Sequence, residues 1–126
     1  MKDINQVMIR GRVGNVRTLG ANGGVLSLSV VTKESYQDKK TGEWKDNSTW
    51  HRVKAFSSRK GLPPFDAFDK GMTVLVLGKL TVNRYEDSDG NERETVEIEA
   101  SDISIIRNED AKRSGSAKKN RYNEDF

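Results

Sequence analysis

Residues 48–56 of the chain read STWHRVKAF and repeat in character every two residues. In an extended strand successive side chains point to opposite faces, so one face carries Trp50, Arg52, Lys54 and Phe56. The other face is small and mostly apolar. Because burial of two unpaired cations costs several kcal/mol each, the first face is predicted to lie at the surface and the second to face a core.

The length of 126 residues predicts one small domain with appendages, because it is too short to build two stable hydrophobic cores. The chain has 22 basic and 19 acidic residues and a formal charge of +3, so binding to a polyanion would need a local cluster of bases. It has no cysteine and one histidine, which argues against disulfides and metal clusters. With no apolar run of about 20 residues and no signal-peptide core, we expect a cytosolic protein without a membrane span.

The same two-residue period predicts the remaining strands. It runs through residues 4–13, 25–32, 72–85 and the stretch that returns after the turn at 86–91. Between the second and third strands, residues 33–46 contain a Thr-Gly turn and predict a long hairpin ribbon. The Asp-Gly pair at 89–90 predicts a second hairpin.

Two interruptions in the period predict irregular strands. Gly11 and Gly14 fall inside the first pattern, where glycine commonly marks a bulge or a bend in a barrel. In the last strand Val96 and Ile98 have one parity and Ile103 the other. A bulge near residues 101–102 would reconcile them.

A single helix is predicted over residues 62–70, which read LPPFDAFDK. Proline is tolerated in the first turn of a helix, and Phe65 and Phe68 are spaced to share one face. We expect this pair of rings to plug one end of a barrel.

Five strands with one short helix between the third and fourth is the element order of an OB fold, a five-stranded, partly open all-β barrel. An SH3-like barrel or a small sandwich is the alternative, and the long hairpins favour the OB fold. We assign residues 1–107 to this domain. Residues 108–126 are polar, charged and aperiodic, and are predicted to form a disordered tail with a basic linker. The tail ends in two acids and an aromatic, Glu124, Asp125 and Phe126.

Aromatic and basic side chains alternate on the predicted strand surfaces. The aromatics are Tyr36, Trp44, Trp50, Phe56 and Tyr85, and the interleaved bases are Arg10, Arg12, Lys33, Arg52, Lys54, Lys79 and Arg84. Rings stack on bases and cations neutralise phosphates, so the set favours a nucleic-acid surface over core or subunit packing of each ring. Tyr36 and Trp44 lie almost symmetrically about the Thr-Gly turn and are candidates for a cross-strand pair.

No arrangement of residues indicates catalysis. His51 has the parity of the core side, where a lone histidine is usually structural or lies in an interface, and no nucleophile or carboxylate pair is spaced to act with it. Gly78-Lys79 lacks the remainder of a phosphate loop. The carboxylates between 86 and 102 are interpreted as a solvated hairpin, and no metal or cofactor is expected.

Four segments of the chain strongly resemble the bacterial single-stranded DNA-binding proteins. They are ESYQDKKTGEWK at 34–45, TWHRVKAF at 49–56, KGMTVLVLGKL at 70–80 and DGN at 89–91. The resemblance covers about residues 4–107. It implies an OB-fold domain, usually tetrameric, that wraps single-stranded DNA without sequence preference in replication, recombination and repair. It would place the protein in a bacterial cytoplasm or nucleoid, or in an infected host cell.

The resemblance also implies residue roles. The base-stacking aromatics of the family fall on Tyr36, Trp50, Phe56 and Tyr85, with Trp44 on the same ribbon. The histidine of the subunit interface falls on His51. The family's tail is normally long and ends in several aspartates and Pro-Phe, whereas this one is short, resembling a phage, plasmid or paralogous version. Docking of replication or repair proteins through its tip is therefore expected to be weakened.

Two alternatives to DNA coating remain at the level of sequence. The first is an OB-fold adaptor whose aromatic surface binds a protein and touches nucleic acid only incidentally. The second is RNA binding. Quenching of tryptophan fluorescence by single-stranded DNA and competition between oligonucleotides would separate them.

Overall fold

Two long antiparallel hairpins supply four of the five strands in the computed structural model, which describes residues 2–107. The first hairpin joins β2 to β3 and the second joins β4 to β5. One 3-10 turn, Phe65–Ala67, stands between β3 and β4. The strands are β1 Val7–Leu19, β2 Val25–Gln37, β3 Trp44–Phe56, β4 Thr73–Glu86 and β5 Glu92–Arg107.

The strands close into a barrel in the order β1-β2-β3-β5-β4. Every neighbouring pair is antiparallel except β3 and β5, which run parallel. This parallel seam joins only Val53 to Ile98 and Lys54 to Glu99. The predicted OB fold is confirmed, and the barrel that the sequence indicated as partly open is closed by this short seam.

The first strand continues beyond the predicted segment 4–13 and ends at Leu19. Its register with β2 shifts between Val13 and Asn15, which puts the predicted bulge at Gly14. Before the paired strand begins, the side-chain amide of Asn5 donates to the Leu80 carbonyl and accepts from the Leu80 amide, both at 2.9 Å. This side chain therefore imitates a strand pair and fastens the N-terminal segment to β4.

The last strand contains the second predicted bulge. Leu77 pairs with Asp102 and the next residue, Gly78, pairs with Ala100, so Ser101 is the additional residue on β5. The Ser101 hydroxyl donates to the Leu77 carbonyl at 3.1 Å. The bulge changes the parity of β5 and allows residues on both sides of it to face the core, as expected.

Aliphatic side chains with alternating parity fill the barrel. The largest fully buried ones are Leu26, Leu28, Val30, Val53, Met72, Val74 and Val76. Phe68 is also buried and Phe65 packs against the same cluster, so both rings contact the core as predicted.

The predicted helix over 62–70 is wrong in length, because only the 3-10 turn Phe65–Ala67 forms. Proline has no backbone donor, and Pro64 has an extended ψ of 142°. The backbone becomes extended again at Phe68, where φ is −94° and ψ is 132°. The segment therefore needs only one turn to present its two phenylalanines to the core.

Aspartates stabilise the turns of both hairpins. In the β4–β5 turn Asp87 Oδ1 accepts from the amides of Asp89 and Asn91 at 2.9 Å, while Oδ2 accepts from Arg93 Nε at 2.8 Å. The bond from Arg93 and then that from the Asn91 amide hold the pKa of Asp87 below its ordinary value of 3.8. In the β2–β3 turn, the Lys40 amide and then Lys45 lower the pKa of Asp38 in the same way.

We predict that acid loosens the β4–β5 turn. A carboxyl whose pKa is lower in the folded state stabilises it above the unfolded value, near 3.8, and the effect is lost as pH falls through the folded value. As pH falls below about 3.8, hydrogen-exchange protection of the Asp89 and Asn91 amides should therefore decrease in the wild type. It should stay nearly constant in Asp87→Asn. The matched control is Asp89→Asn, whose carboxylate forms no hydrogen bond or ion pair within residues 2–107. A wild-type protection that does not change with pH would contradict the prediction.

Candidate nucleic-acid interface

Strand registers place four consecutive rows of side chains on the outward face of β1, β2 and β3. Residues paired directly across neighbouring strands point to the same side of a sheet, so each row crosses all three strands. The rows are Arg12–Val31–Trp50, Asn15–Ser29–Arg52, Arg17–Ser27–Lys54 and Leu19–Val25–Phe56. The distance from the row of Trp50 to the row of Phe56 is about 20 Å at the usual strand rise. Small serines in the centre leave a groove between the side chains of the two flanking strands.

Trp50 lies against the bulge in β1. A Cβ added to Gly14 would approach Cζ3 of the Trp50 ring to 2.5 Å and the Ser29 hydroxyl to 2.9 Å. The absence of a side chain at Gly14 therefore makes the seat for the ring. The ring remains 61% exposed, and it lies directly across from Val31, which has outward parity but is buried. The indole is therefore supported on one side and open on the other. Phe56, at the far end of the same face, is 38% exposed.

Two arginines flank the groove. Arg52 comes from β3, as the sequence predicted, and Arg17 comes from β1. Within residues 2–107 neither guanidinium forms an ion pair. Arg17 was missed because the two-residue pattern was followed only to residue 13. Continuing it past the glycine bulge, with Val16 facing inward, would have placed Arg17 outward beside Lys54.

Lys54 has a buried acidic partner. Its Nζ lies 3.2 Å from Oε1 of Glu97, which is only 4% exposed. The Thr95 hydroxyl donates to the other carboxylate oxygen at 3.1 Å. The interpretation of residues 86–102 as a wholly solvated acidic hairpin is therefore wrong for Glu97. The sequence did not identify this residue, because its partner lies across the parallel seam.

The predicted aromatic pair on the β2–β3 ribbon is also wrong. Tyr36 pairs with Lys45, while Trp44 pairs with Gln37. This register puts Tyr36 and Trp44 on opposite faces of the ribbon, with Trp44 on the side of Trp50. Both side chains are exposed.

The remaining predicted residues are spread around this face. Lys79 lies in the same row as Lys54 through Glu99, and Tyr85 shares the parity of Lys79 farther along β4. Arg84 has the opposite parity and forms a 3.2 Å ion pair with Glu94. It therefore lies on the other face of the hairpin.

Other cations of the predicted set also lie at the edges of the face. Lys33 lies 3.8 Å from Asp46 on the ribbon. Arg12 belongs to the row of Trp50, whereas Arg10 pairs across β4 with Leu75. Of the predicted bases, Arg52 and Lys54 thus lie directly between Trp50 and Phe56.

His51 points to the inner side of β3 and is partly buried. Its Nε2 lies 2.9 Å from the Thr32 hydroxyl on the neighbouring strand. Its role in a subunit interface stays a prediction, as does the role of Glu124, Asp125 and Phe126, which lie outside the described residues. Among residues 2–107 no group of three acidic or histidine side chains is arranged to hold a metal ion. The same part of the chain has no helix long and apolar enough to cross a membrane.

The closed five-stranded order and this aromatic, cationic face define an OB-type barrel with a candidate nucleic-acid surface. The model of the single-strand binding protein family matches residues 4–106. The chain therefore belongs to the single-strand binding protein family.

Solved structures of the same kind resemble the chain. The Plasmodium falciparum SSB, solved in complex with single-stranded DNA, has a TM-score of 0.66 and 27% identity, over 85% of this chain and 98% of that one. The single-stranded DNA-binding protein of Thermus aquaticus, a deletion mutant, gives 0.64 and 22%, over 82% of this chain and 51% of that one. A small single-stranded DNA-binding protein from Streptomyces coelicolor gives 0.55 and 23%, over 84% and 96%. The last two show likeness of fold alone.

We predict that Gly14→Ala displaces the Trp50 ring, because a methyl group would overlap the ring and the Ser29 hydroxyl. In a Trp44→Phe background, where Trp50 is the one tryptophan, the variant should show a shifted emission maximum and altered acrylamide quenching. Gly24→Ala is the matched control, because its added Cβ meets only the rotatable Ser57 hydroxyl at 3.2 Å. Identical spectra for both variants and the parent would contradict the seat at Gly14.

Proposed function

We propose that the protein binds single-stranded DNA without sequence preference and without catalysis. Bases stack on Trp50 and Phe56, and phosphates are neutralised by Arg17 and Arg52 beside them. The observation that carries the proposal is the run of four rows, which has an exposed aromatic at each end and, between them, arginines that form no ion pair within residues 2–107. Aromatic stacking tolerates any base because every base has a π-face, so this surface needs no sequence-specific contacts.

Membership of the single-strand binding protein family supports the proposal, as does the likeness to a Plasmodium falciparum relative solved with single-stranded DNA. The biological setting that we propose is protection of single strands in replication, recombination and repair, in the cytoplasm. We propose residues 1–107 as the binding domain. We further propose that the protein is a homo-oligomer, a tetramer or a dimer, with His51 in the subunit contact.

The ribbons supply a second set of exposed rings. Tyr36, Trp44 and Tyr85 all lie on hairpin segments that extend from the barrel, and each is about half exposed or more. We propose that they contact DNA that leaves the barrel face, together with Lys33, Lys79 and the two β1 arginines at positions 10 and 12. Tyr36 and Arg84 lie on the opposite faces of their hairpins and would meet different parts of a wrapped strand.

The adaptor alternative is favoured by one observation, an apolar strip on the other face of the β4–β5 hairpin. Leu80, Val82 and Val96 are all substantially exposed there. An adaptor that used this strip or the aromatic face for a protein would show no tryptophan quenching on addition of single-stranded DNA at low salt. Competition with an RNA oligomer of matched length tests the remaining alternative.

We predict that Trp50→Ala and Phe56→Ala each weaken binding to oligo-dT by about 1–3 kcal/mol, the usual contribution of one stacked base. Fluorescence anisotropy of a labelled oligomer measures the change, and wild-type affinity should fall as salt rises. Val96→Ala is the matched control, because it truncates an apolar side chain that is about as exposed as Trp50 but lies on the opposite face. Unchanged affinity in both aromatic variants would refute the stacking mechanism.

Removal of Glu124, Asp125 and Phe126 is predicted to strengthen DNA binding modestly. The deletion takes away negative charge that competes with phosphates for the basic face. Anisotropy titrations of the two lengths of chain, with circular dichroism to compare their folds, measure the effect. Weaker binding after truncation would contradict it.

A further inference from the structure

The Lys54–Glu97 pair forms a ridge between two grooves on the proposed DNA face. The first groove is lined by Trp50, Arg17 and Arg52, and the second by Phe56, Thr81 and Asn83, and the ion pair belongs to the walls of both. A DNA strand bound along this face from Trp50 to Phe56 must cross this ridge. The electrostatics of the pair therefore act at the midpoint of the proposed path.

Lys54 is held in place by a network that begins in the barrel wall. The Glu97 carboxylate is buried, with one oxygen 3.2 Å from Lys54 Nζ and the other 3.1 Å from the Thr95 hydroxyl. The Thr81 hydroxyl on the neighbouring strand donates to the Glu97 carbonyl at 3.2 Å, which ties the same residue to β4. Lys54 itself is about a quarter exposed. Its ammonium is therefore partly accessible to solvent while it lies beside the carboxylate.

A phosphate would be a poor competitor for this ammonium. If Lys54 moved to a phosphate, Glu97 would stay buried without its partner, and an uncompensated buried charge costs several kcal/mol. A solvent-exposed contact between Lys and phosphate returns much less, because water and salt screen it. If Lys54 stays in place, an approaching phosphate meets a positive and a negative charge a few ångströms apart, and their fields largely cancel.

We propose that Glu97 is a positioning residue that withholds Lys54 from phosphate binding, so that the ridge between Trp50 and Phe56 is an electrically neutral step. This inference rests on the proposed function. Arg17 and Arg52 then contact phosphates on the Trp50 side of the ridge. Over the ridge itself, the DNA is held by contacts that do not depend on charge. Lys54 adds nothing to the salt dependence of binding, although its place two residues after Arg52, on the same face of the strand, suggests a phosphate ligand.

The test is the slope of log K against log salt concentration for oligo-dT, which falls by about 0.7 for each phosphate neutralised on a single strand. Glu97→Gln keeps the size of the side chain and an acceptor for Thr95 but removes the charge, so Lys54 becomes available. The slope should steepen by about 0.7, and low-salt affinity should rise. Arg52→Met should make the slope shallower by about 0.7.

The double variant Lys54→Met, Glu97→Gln provides a second measurement that does not depend on how Glu97→Gln alone folds. It replaces a buried ion pair by uncharged groups of similar size, a change that folds often tolerate. Its slope should equal that of the wild type. Thermal melting of each variant verifies that the compared proteins are folded.

Two outcomes would overturn the inference. One is a double variant whose slope becomes as shallow as that of Arg52→Met, because Lys54 would then be a phosphate contact in the wild type. The other is a folded Glu97→Gln variant with the wild-type slope. Absence of wild-type binding to oligo-dT would instead refute the proposed function, so the two failures are distinguishable.

Discussion

Two glycines allow the barrel to close, and the candidate site depends on that closure. A Cβ at Gly11 would overlap the carbonyl oxygen of Val31, and one at Gly78 would overlap that of Glu99. Backbone therefore occupies the space where other residues carry a side chain, and β1 and β4 bend close to their neighbours. The register shift at Gly78 lets β5 leave β4 and meet β3. Without that seam, the carboxylate of Glu97 would not reach Lys54.

The consequence for the proposed interface is that its parts come from different kinds of contact. Trp50 and Phe56 are aligned by the alternation of one strand, and local sequence is enough to specify them. Arg17 is added by the β1–β2 register, and Glu97 by the parallel seam. Each step outward from β3 depends on pairing between residues farther apart in the chain.

This hierarchy explains which features could be predicted from the sequence. The five strands, the order of elements, both bulges and the outward face of 48–56 follow from periodicity, glycine and turn residues. Arg17 was hidden because the bulge at Gly14 reverses the parity of β1, and a change of one residue in register moves every later side chain to the other face. The same rule explains Tyr36 and Trp44. Their symmetry about the turn does not fix the register, and pairing of Trp44 with Gln37 instead of Tyr36 puts the two rings on opposite faces.

Basic residues on a strand also cannot be counted as phosphate contacts from the sequence alone. Lys33, Lys54 and Arg84 all have acidic partners in the structure, whereas Arg52 has none within residues 2–107. These partnerships differ in consequence. The pairs of Lys33 and Arg84 are solvent-exposed, and such pairs contribute little and exchange readily for a phosphate. Lys54 is paired with a buried carboxylate. Its transfer to a phosphate would leave that carboxylate unpaired and therefore costs more free energy. The depth of the acidic partner, more than the presence of a base, decides which cations on this face are available to a polyanion.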